Sequence, residues 1–168
     1  MIIIFALLLG SALQALIPAW SGMGYAKTPI LLGIVLYYAL TRKRATALAV
    51  ALTTGIFKDA LSLSPFGCSA LPFLLIAYVL NLYREEVFIL HPITHVIFGA
   101  AAAMAADLLG ALLLAATVAG ANLGVSSVMA RSLGAGLLGA LTVPIVYRLL
   151  WRLDLALGNV DRRIAQWQ

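Results

Sequence analysis

Charged side chains are scarce in this chain. Only 10% of its 168 residues are Asp, Glu, Lys or Arg, whereas 64% are hydrophobic and the mean hydropathy is +1.07. Soluble domains carry about 25% charged residues, so this composition excludes an ordinary water-soluble protein. Because a backbone in lipid must satisfy its own hydrogen bonds, the sequence predicts an all-α integral membrane protein.

Cysteine and catalytic motifs are equally scarce. Cys68 is the single cysteine, so no intramolecular disulfide can form. The sequence contains neither a glycine-rich phosphate loop nor a Gly-x-Ser-x-Gly motif. His91 and His95 share a helical face, but no glutamate follows His91 and no third ligand is near. We therefore expect no enzymatic activity, no cofactor and no metal.

The apolar runs predict one domain, a bundle of about six transmembrane helices. The predicted spans are 2–20, 25–41, 45–61, 66–83, 92–118 and 129–151, with a short cytoplasmic tail at 152–168. The first run has neither preceding basic residues nor a cleavage site, so we interpret it as a retained helix. The second has about twelve apolar residues, or ~18 Å, so it must borrow from its loop, meet a thinned bilayer or be partly re-entrant.

The basic residues fall in short clusters between the apolar runs, which does not favour nucleic-acid binding. With six spans, one side of the membrane receives Arg42, Lys43, Arg44, Arg84, Arg148, Arg152, Arg162 and Arg163. Lys27, Lys58 and Arg131 fall toward the other side. The positive-inside rule then predicts that both termini are cytoplasmic.

A second prediction concerns four charged residues toward the outer side. Lys58 lies ~20 Å along its span and Asp107 ~22 Å along its own, so the two depths match. With Asp59 and Arg131 they sum to zero charge, which suggests a paired layer and a partner or pocket site that also includes Gly67. The alternative is that Lys58 and Arg131 extend to the outer interface while Asp59 caps its helix.

Small residues recur at four-residue steps and predict close helix packing. These candidates are Ala6, Gly10, Ala47, Ala51, Gly55, Gly99, Ala103 and Gly136. Most of these faces should meet another helix of the same chain. The first span has few polar residues, and its small face could instead receive a partner's helix.

The stretch from Lys27 to Glu86 carries a recognisable combination of features. It has Lys27-Thr28-Pro29 before a short span with Tyr37-Tyr38, then a basic turn, Gly55-x-x-x-Asp59, Pro65-x-Gly67, and an apolar span containing Tyr78. In these features, and in length and six-span plan, the chain resembles the bacterial rod shape-determining protein MreD family. It departs from that family at Ile30, where an acidic residue is frequent, and at Lys58.

The resemblance implies a non-enzymatic scaffold of the cell-elongation (rod shape) machinery in the bacterial cytoplasmic (inner) membrane. Such a protein binds the transmembrane helix of MreC, and through it MreB and the peptidoglycan synthases, a RodA-type enzyme and a class B penicillin-binding protein. Asp59 and Gly67 carry the motif. An alternative is a substrate-binding S-component of an energy-coupling-factor transporter, whose fold is similar to that of MreD. The charged layer would then line a vitamin or metal-ion pocket.

Overall fold

The computed structural model describes residues 2–18, 26–62, 65, 67–83, 92–117 and 124–156. Across these ranges the regular secondary structure is six α-helices without a strand, which confirms the all-α class. The helices are α1 (Ile2–Leu16), α2 (Ile30–Thr41), α3 (Arg44–Ser62), α4 (Ala70–Leu82), α5 (Pro92–Thr117) and α6 (Val125–Ala156). By length and composition two of them, α5 and α6, could cross a membrane; α1, α2 and α4 contain shorter apolar helical segments.

Helix α2 is the centre of the bundle. Every residue from Leu31 to Leu40 is buried, because α1, α3, α4 and α6 pack around it. A helix that is apolar on all sides belongs in such a position. Pro29 precedes the first turn, and its fixed φ suits the start of a helix. Because neighbouring helices surround α2, this helix of twelve residues, about 18 Å long at 1.5 Å per residue, does not need to contact lipid.

The outer helices expose large apolar side chains. On α6 the exposed residues recur every four positions: Met129, Leu133, Leu137, Leu141, Ile145 and Leu149. The opposite face of α6 is small and buried, with Gly136, Gly139 and Val143 among its residues. Helices α1, α3 and α4 also expose leucines on their outward faces. Large apolar side chains therefore cover much of the outside of the bundle.

Small residues allow two pairs of helices to approach closely. A Cβ atom added to Gly99 of α5 would lie 2.9 Å from the Gly139 carbonyl oxygen of α6, and one added to Gly139 would lie 2.7 Å from that of Gly99. A Cβ on Gly55 of α3 would overlap the backbone of Ala70 at the start of α4. Neither backbone can move aside cheaply, so these crossings depend on glycine.

The other predicted packing residues also lie inside the chain. Ala47 and Ala51 are fully buried, and Ala103 is 2% exposed. Gly136 faces the Met104 side chain. Ala6 is buried and Gly10 contacts Ile34 of α2, so the small face of α1 packs internally. This position corrects the suggestion that this face receives a partner's helix.

Several helix boundaries differ from the prediction, among them the start of α2 at Ile30 rather than 25, and two of these differences have a clear physical reason. Helix α6 continues to Ala156, so Asp154, assigned to the tail beginning at 152, is a helical residue and is 2% exposed. Helix α4 begins at Ala70 rather than near 66, because residues 67–69 form a turn in which Gly67 has φ +105°. Only glycine adopts that conformation without strain.

Candidate functional site

A cavity of about 460 Å³ lies at the end of the bundle where α3 ends and α4 begins. Its polar lining comes from α1, α3, α5 and α6 and from the residues that precede α2 and α4: Ser11, Gln14, Lys27, Lys58, Ser62, Ser69, Asp107 and Arg131. Its apolar lining includes Leu31, Leu32, Phe73 and Leu114. A cavity of this size with a few converging polar groups has the usual character of a small-molecule site.

Asp107 and Arg131 meet across the α5–α6 interface. The Arg131 Nε lies 3.1 Å from each carboxylate oxygen of Asp107, and the Ser132 hydroxyl donates a 2.9 Å hydrogen bond to Oδ2. The Asp107 side chain is 22% exposed and that of Arg131 is 35% exposed. This salt bridge links the two longest of the described helices.

Asp59 does not join that pair. Its carboxylate faces the α3–α4 turn and accepts backbone N–H bonds from Gly67 at 2.9 Å and from Ser69 at 2.9 Å. Ser69 is the residue immediately before α4, so Asp59 satisfies backbone donors at the start of that helix. The charge is fully buried. The layer predicted from matching depths and a zero sum of charge is therefore divided: Asp107 and Arg131 form a salt bridge, whereas Asp59 stabilises the α3–α4 turn.

Lys58 points into the cavity rather than toward Asp59. Its ammonium lies 4.9 Å from the centroid of the Phe73 ring, a cation–π geometry. Lys27 precedes α2 and is exposed at the same cavity. Among the described residues, neither lysine has a carboxylate within 4.0 Å of its ammonium group.

A second polar cluster lies near the opposite end of the bundle. The buried Asp154 accepts a 2.6 Å hydrogen bond from the Tyr37 hydroxyl and a 3.0 Å salt bridge from Arg42. The Asn81 amide donates to the carbonyl oxygens of Ala39 and Arg42 at 2.8 and 3.2 Å. These bonds hold the end of α2 against α4 and α6.

Asp154 is not among the predicted site residues, because it lies beyond the predicted end of the last span. A signal was present: Val143, Tyr147, Leu150 and Asp154 follow the three- and four-residue steps of one helical face. All four are buried or half-buried. That continuous face would have extended the helix and placed Asp154 inside the bundle.

The part of the chain that the structure describes holds no group of three His, Cys, Asp or Glu side chains suited to a metal ion. His95 stacks on Tyr147, with ring centroids 4.3 Å apart. His91, the other half of the predicted histidine pair, lies outside the described residues. The cavity is therefore lined by cations, hydroxyls and one carboxylate, which are groups that can bind a polar ligand.

The fold and site define a helical bundle with an apolar exterior, a charged cavity at one end and a buried ionic cluster toward the other. Comparisons with models of known families, with curated proteins and with solved structures found no significant match.

Proposed function

We propose that this protein is a multi-pass scaffold of the bacterial cytoplasmic membrane that acts in the rod-shape machinery as members of the MreD family do. In this proposal it binds the transmembrane helix of an MreC-like protein and thereby links MreB to peptidoglycan synthesis. Both termini face the cytoplasm. The protein performs no reaction of its own.

The apolar exterior supports residence in a membrane. In water, contiguous exposed apolar patches above a few hundred Å² are unusual, because burying apolar surface stabilises a protein by about 25 cal/mol per Å². Here the leucine series of α6, the outer face of α1 and the outer faces of α3 and α4 are all exposed. Lipid tails would cover these faces without a free-energy cost.

The division of charge supports the proposed orientation. On α3, Arg44 and Lys58 are about 21 Å apart, and on α6, Arg131 and Asp154 are about 35 Å apart, at 1.5 Å per residue. Arg42 bonds to Asp154, whereas Lys58 and Arg131 line the cavity. The basic turn at 42–44 thus lies far from the cavity, and the positive-inside rule assigns the basic turn to the cytoplasm.

The geometry of the family-like motif carries the proposal. Gly55 contacts the start of α4, Asp59 binds the turn through Gly67 and Ser69, and Gly67 has positive φ. The motif therefore has a structural purpose, which is to fix α3 against α4. This structural role favours a scaffold, which presents a rigid surface to a partner, over an enzyme, whose motif residues would take part in a reaction.

Helix α1 is the surface that we assign to the partner. It packs against α2 and, less extensively, α3. Its small residues face inward, and its outward face presents large apolar side chains: Phe5, Leu8, Leu9, Leu13 and Leu16. A single-span partner could pack against these residues from within the bilayer.

Photo-cross-linking from three exposed leucines tests this assignment. A photoreactive amino acid replaces Leu9 on α1, Leu75 on α4 or Leu141 on α6, and the protein is irradiated in its native membrane. We expect a discrete adduct with an MreC-like single-span protein from position 9, with positions 75 and 141 as matched lipid-facing controls. Equal adducts from all three, or no protein adduct from position 9, would contradict the assignment.

The cavity favours a second candidate function, the substrate-binding S-component of an energy-coupling-factor transporter. A volume of about 460 Å³ accommodates a vitamin-sized ligand. In that case the protein would associate with a coupling subunit and a pair of ATPases. Co-purification of those chains, without an MreC-like protein, would favour this candidate.

A further inference from the structure

The charged cavity carries more positive than negative charge. Lys27, Lys58 and Arg131 contribute three cations against the single carboxylate of Asp107. That carboxylate is already engaged by Arg131 and Ser132. The described lining thus has a formal excess of two positive charges.

The two lysines are the source of this excess. Neither has a carboxylate within 4.0 Å among the described residues; the Lys58 ammonium contacts the Phe73 ring, while the carboxylates of Asp107 and Asp59 act on it only from a longer distance. Lys58 is partly buried, unlike the exposed Lys27, and a cation held in a low-dielectric setting without an opposite charge at salt-bridge distance is costly. An anion bound in the cavity would supply the missing counter-charge.

The rest of the lining defines the shape of that anion. Leu31, Leu32, Phe73 and Leu114 form apolar walls, while the hydroxyls of Ser62 and Ser69 provide donors. A bare inorganic ion would leave the apolar walls without a partner. An anion with an apolar part would contact both kinds of surface.

We propose that this cavity binds an organic anion, in which a carboxylate or phosphate group contacts Lys27 and Lys58 and an apolar part lies against Phe73 and the leucines. A free organic acid and the headgroup region of an anionic phospholipid share this chemistry. The inference does not depend on the scaffold function, because a scaffold does not need a ligand and its partner surface is on the outside of α1.

The test uses the full chain purified in a non-ionic detergent. Benzoate, benzamide and benzamidine share one ring and differ in charge, so they serve as anionic, neutral and cationic probes. For the lipid source, the protein is mixed with phosphatidylglycerol or phosphatidylcholine and retained lipid is measured by native mass spectrometry. The variants are Lys58→Met and Lys27→Met, with Lys43→Met as a matched exposed lysine in the basic turn.

The proposal predicts that benzoate raises the unfolding temperature and that benzamide and benzamidine do not. If a lipid is the natural occupant, phosphatidylglycerol is retained in preference to phosphatidylcholine and benzoate binds only to delipidated protein. In either case Lys58→Met weakens the affinity at least tenfold, Lys27→Met weakens it in the same direction, and Lys43→Met leaves it unchanged. No anion preference in either arm, or equal losses in Lys58→Met and Lys43→Met, would overturn the proposal.

Discussion

Removing the Asp59 carboxylate should loosen the α3–α4 turn. Two backbone N–H groups, those of Gly67 and Ser69, donate to this fully buried side chain at 2.9 Å. Each hydrogen bond to a charged group contributes about 1.5–3 kcal/mol, so Asp59→Ala should lower the free energy of opening this turn by about 3–6 kcal/mol.

Cys68 provides a local assay for that opening. It is the single cysteine, lies between the two bonded residues and is 8% exposed. We assume that a thiol-reactive dye labels Cys68 only after the turn opens. A decrease of 3 kcal/mol in the free energy of opening then accelerates labelling by about 150-fold, since each 1.36 kcal/mol changes the opening equilibrium tenfold.

The matched control is Thr53→Ala on the same helix. The Thr53 hydroxyl is exposed and donates only to carbonyl oxygens of its own helix, those of Ala49 and Val50. Its loss should change the labelling rate by less than about threefold, because exposed polar substitutions stay within about 0.5 kcal/mol. Labelling of Asp59→Ala at the rate of Thr53→Ala would refute the role that we assign to Asp59.

Three further predictions concern helix contacts and are checked by thermal unfolding in detergent. Gly99→Ala should destabilise the protein by about 2 kcal/mol, because the new methyl group meets the Gly139 carbonyl oxygen. Gly110→Ala, where the nearest neighbour of the added Cβ is 3.5 Å away, should be neutral or stabilising. Equal effects of the two substitutions would contradict the close crossing. Asp107→Ala and Arg131→Ala should be non-additive by about 1 kcal/mol, and additive losses would exclude the pairing. Tyr37→Phe should cost about 2 kcal/mol through its lost bond to Asp154, while the exposed Tyr83→Phe should cost nothing measurable.

Periodicity and depth predicted a large part of this architecture. Four-residue steps of small residues identified the buried faces around Ala51 and Ala103, because a close helix crossing requires such residues. The predicted layer of charge grouped Asp107 with Arg131, and the structure brings the Arg131 Nε to 3.1 Å from the Asp107 carboxylate; Lys58, whose depth matched that of Asp107, has no carboxylate within 4.0 Å among the described residues. Both predictions use the regular geometry of a helix, because the spacing of residues in the sequence then fixes their positions along and around the helix axis.

What sequence could not provide is the direction of side chains at turns and ends. Asp59 and Lys58 are adjacent in the chain, yet one binds the turn and the other faces the cavity. Adjacent residues of a helix point about 100° apart, so the two side chains meet different neighbours. The bond to Asp59 also requires a turn in which Gly67 has positive φ, a conformation that no periodicity encodes. Similarly, Asp154 was placed outside the bundle because hydropathy falls at Arg152, although the packing face of α6 continues.

Binding of an MreC-like helix by this protein can be measured from the proteins that the intact chain retains on extraction. The tagged chain is extracted from its native membrane in a gentle detergent and the associated proteins are identified. We expect recovery of an MreC-like single-span protein. The recovery should fall when Leu9 on α1 is replaced by a bulky charged residue and stay unchanged when Leu141 on α6 is replaced in the same way. Recovery of transporter ATPases and a coupling subunit without any MreC-like chain would contradict it.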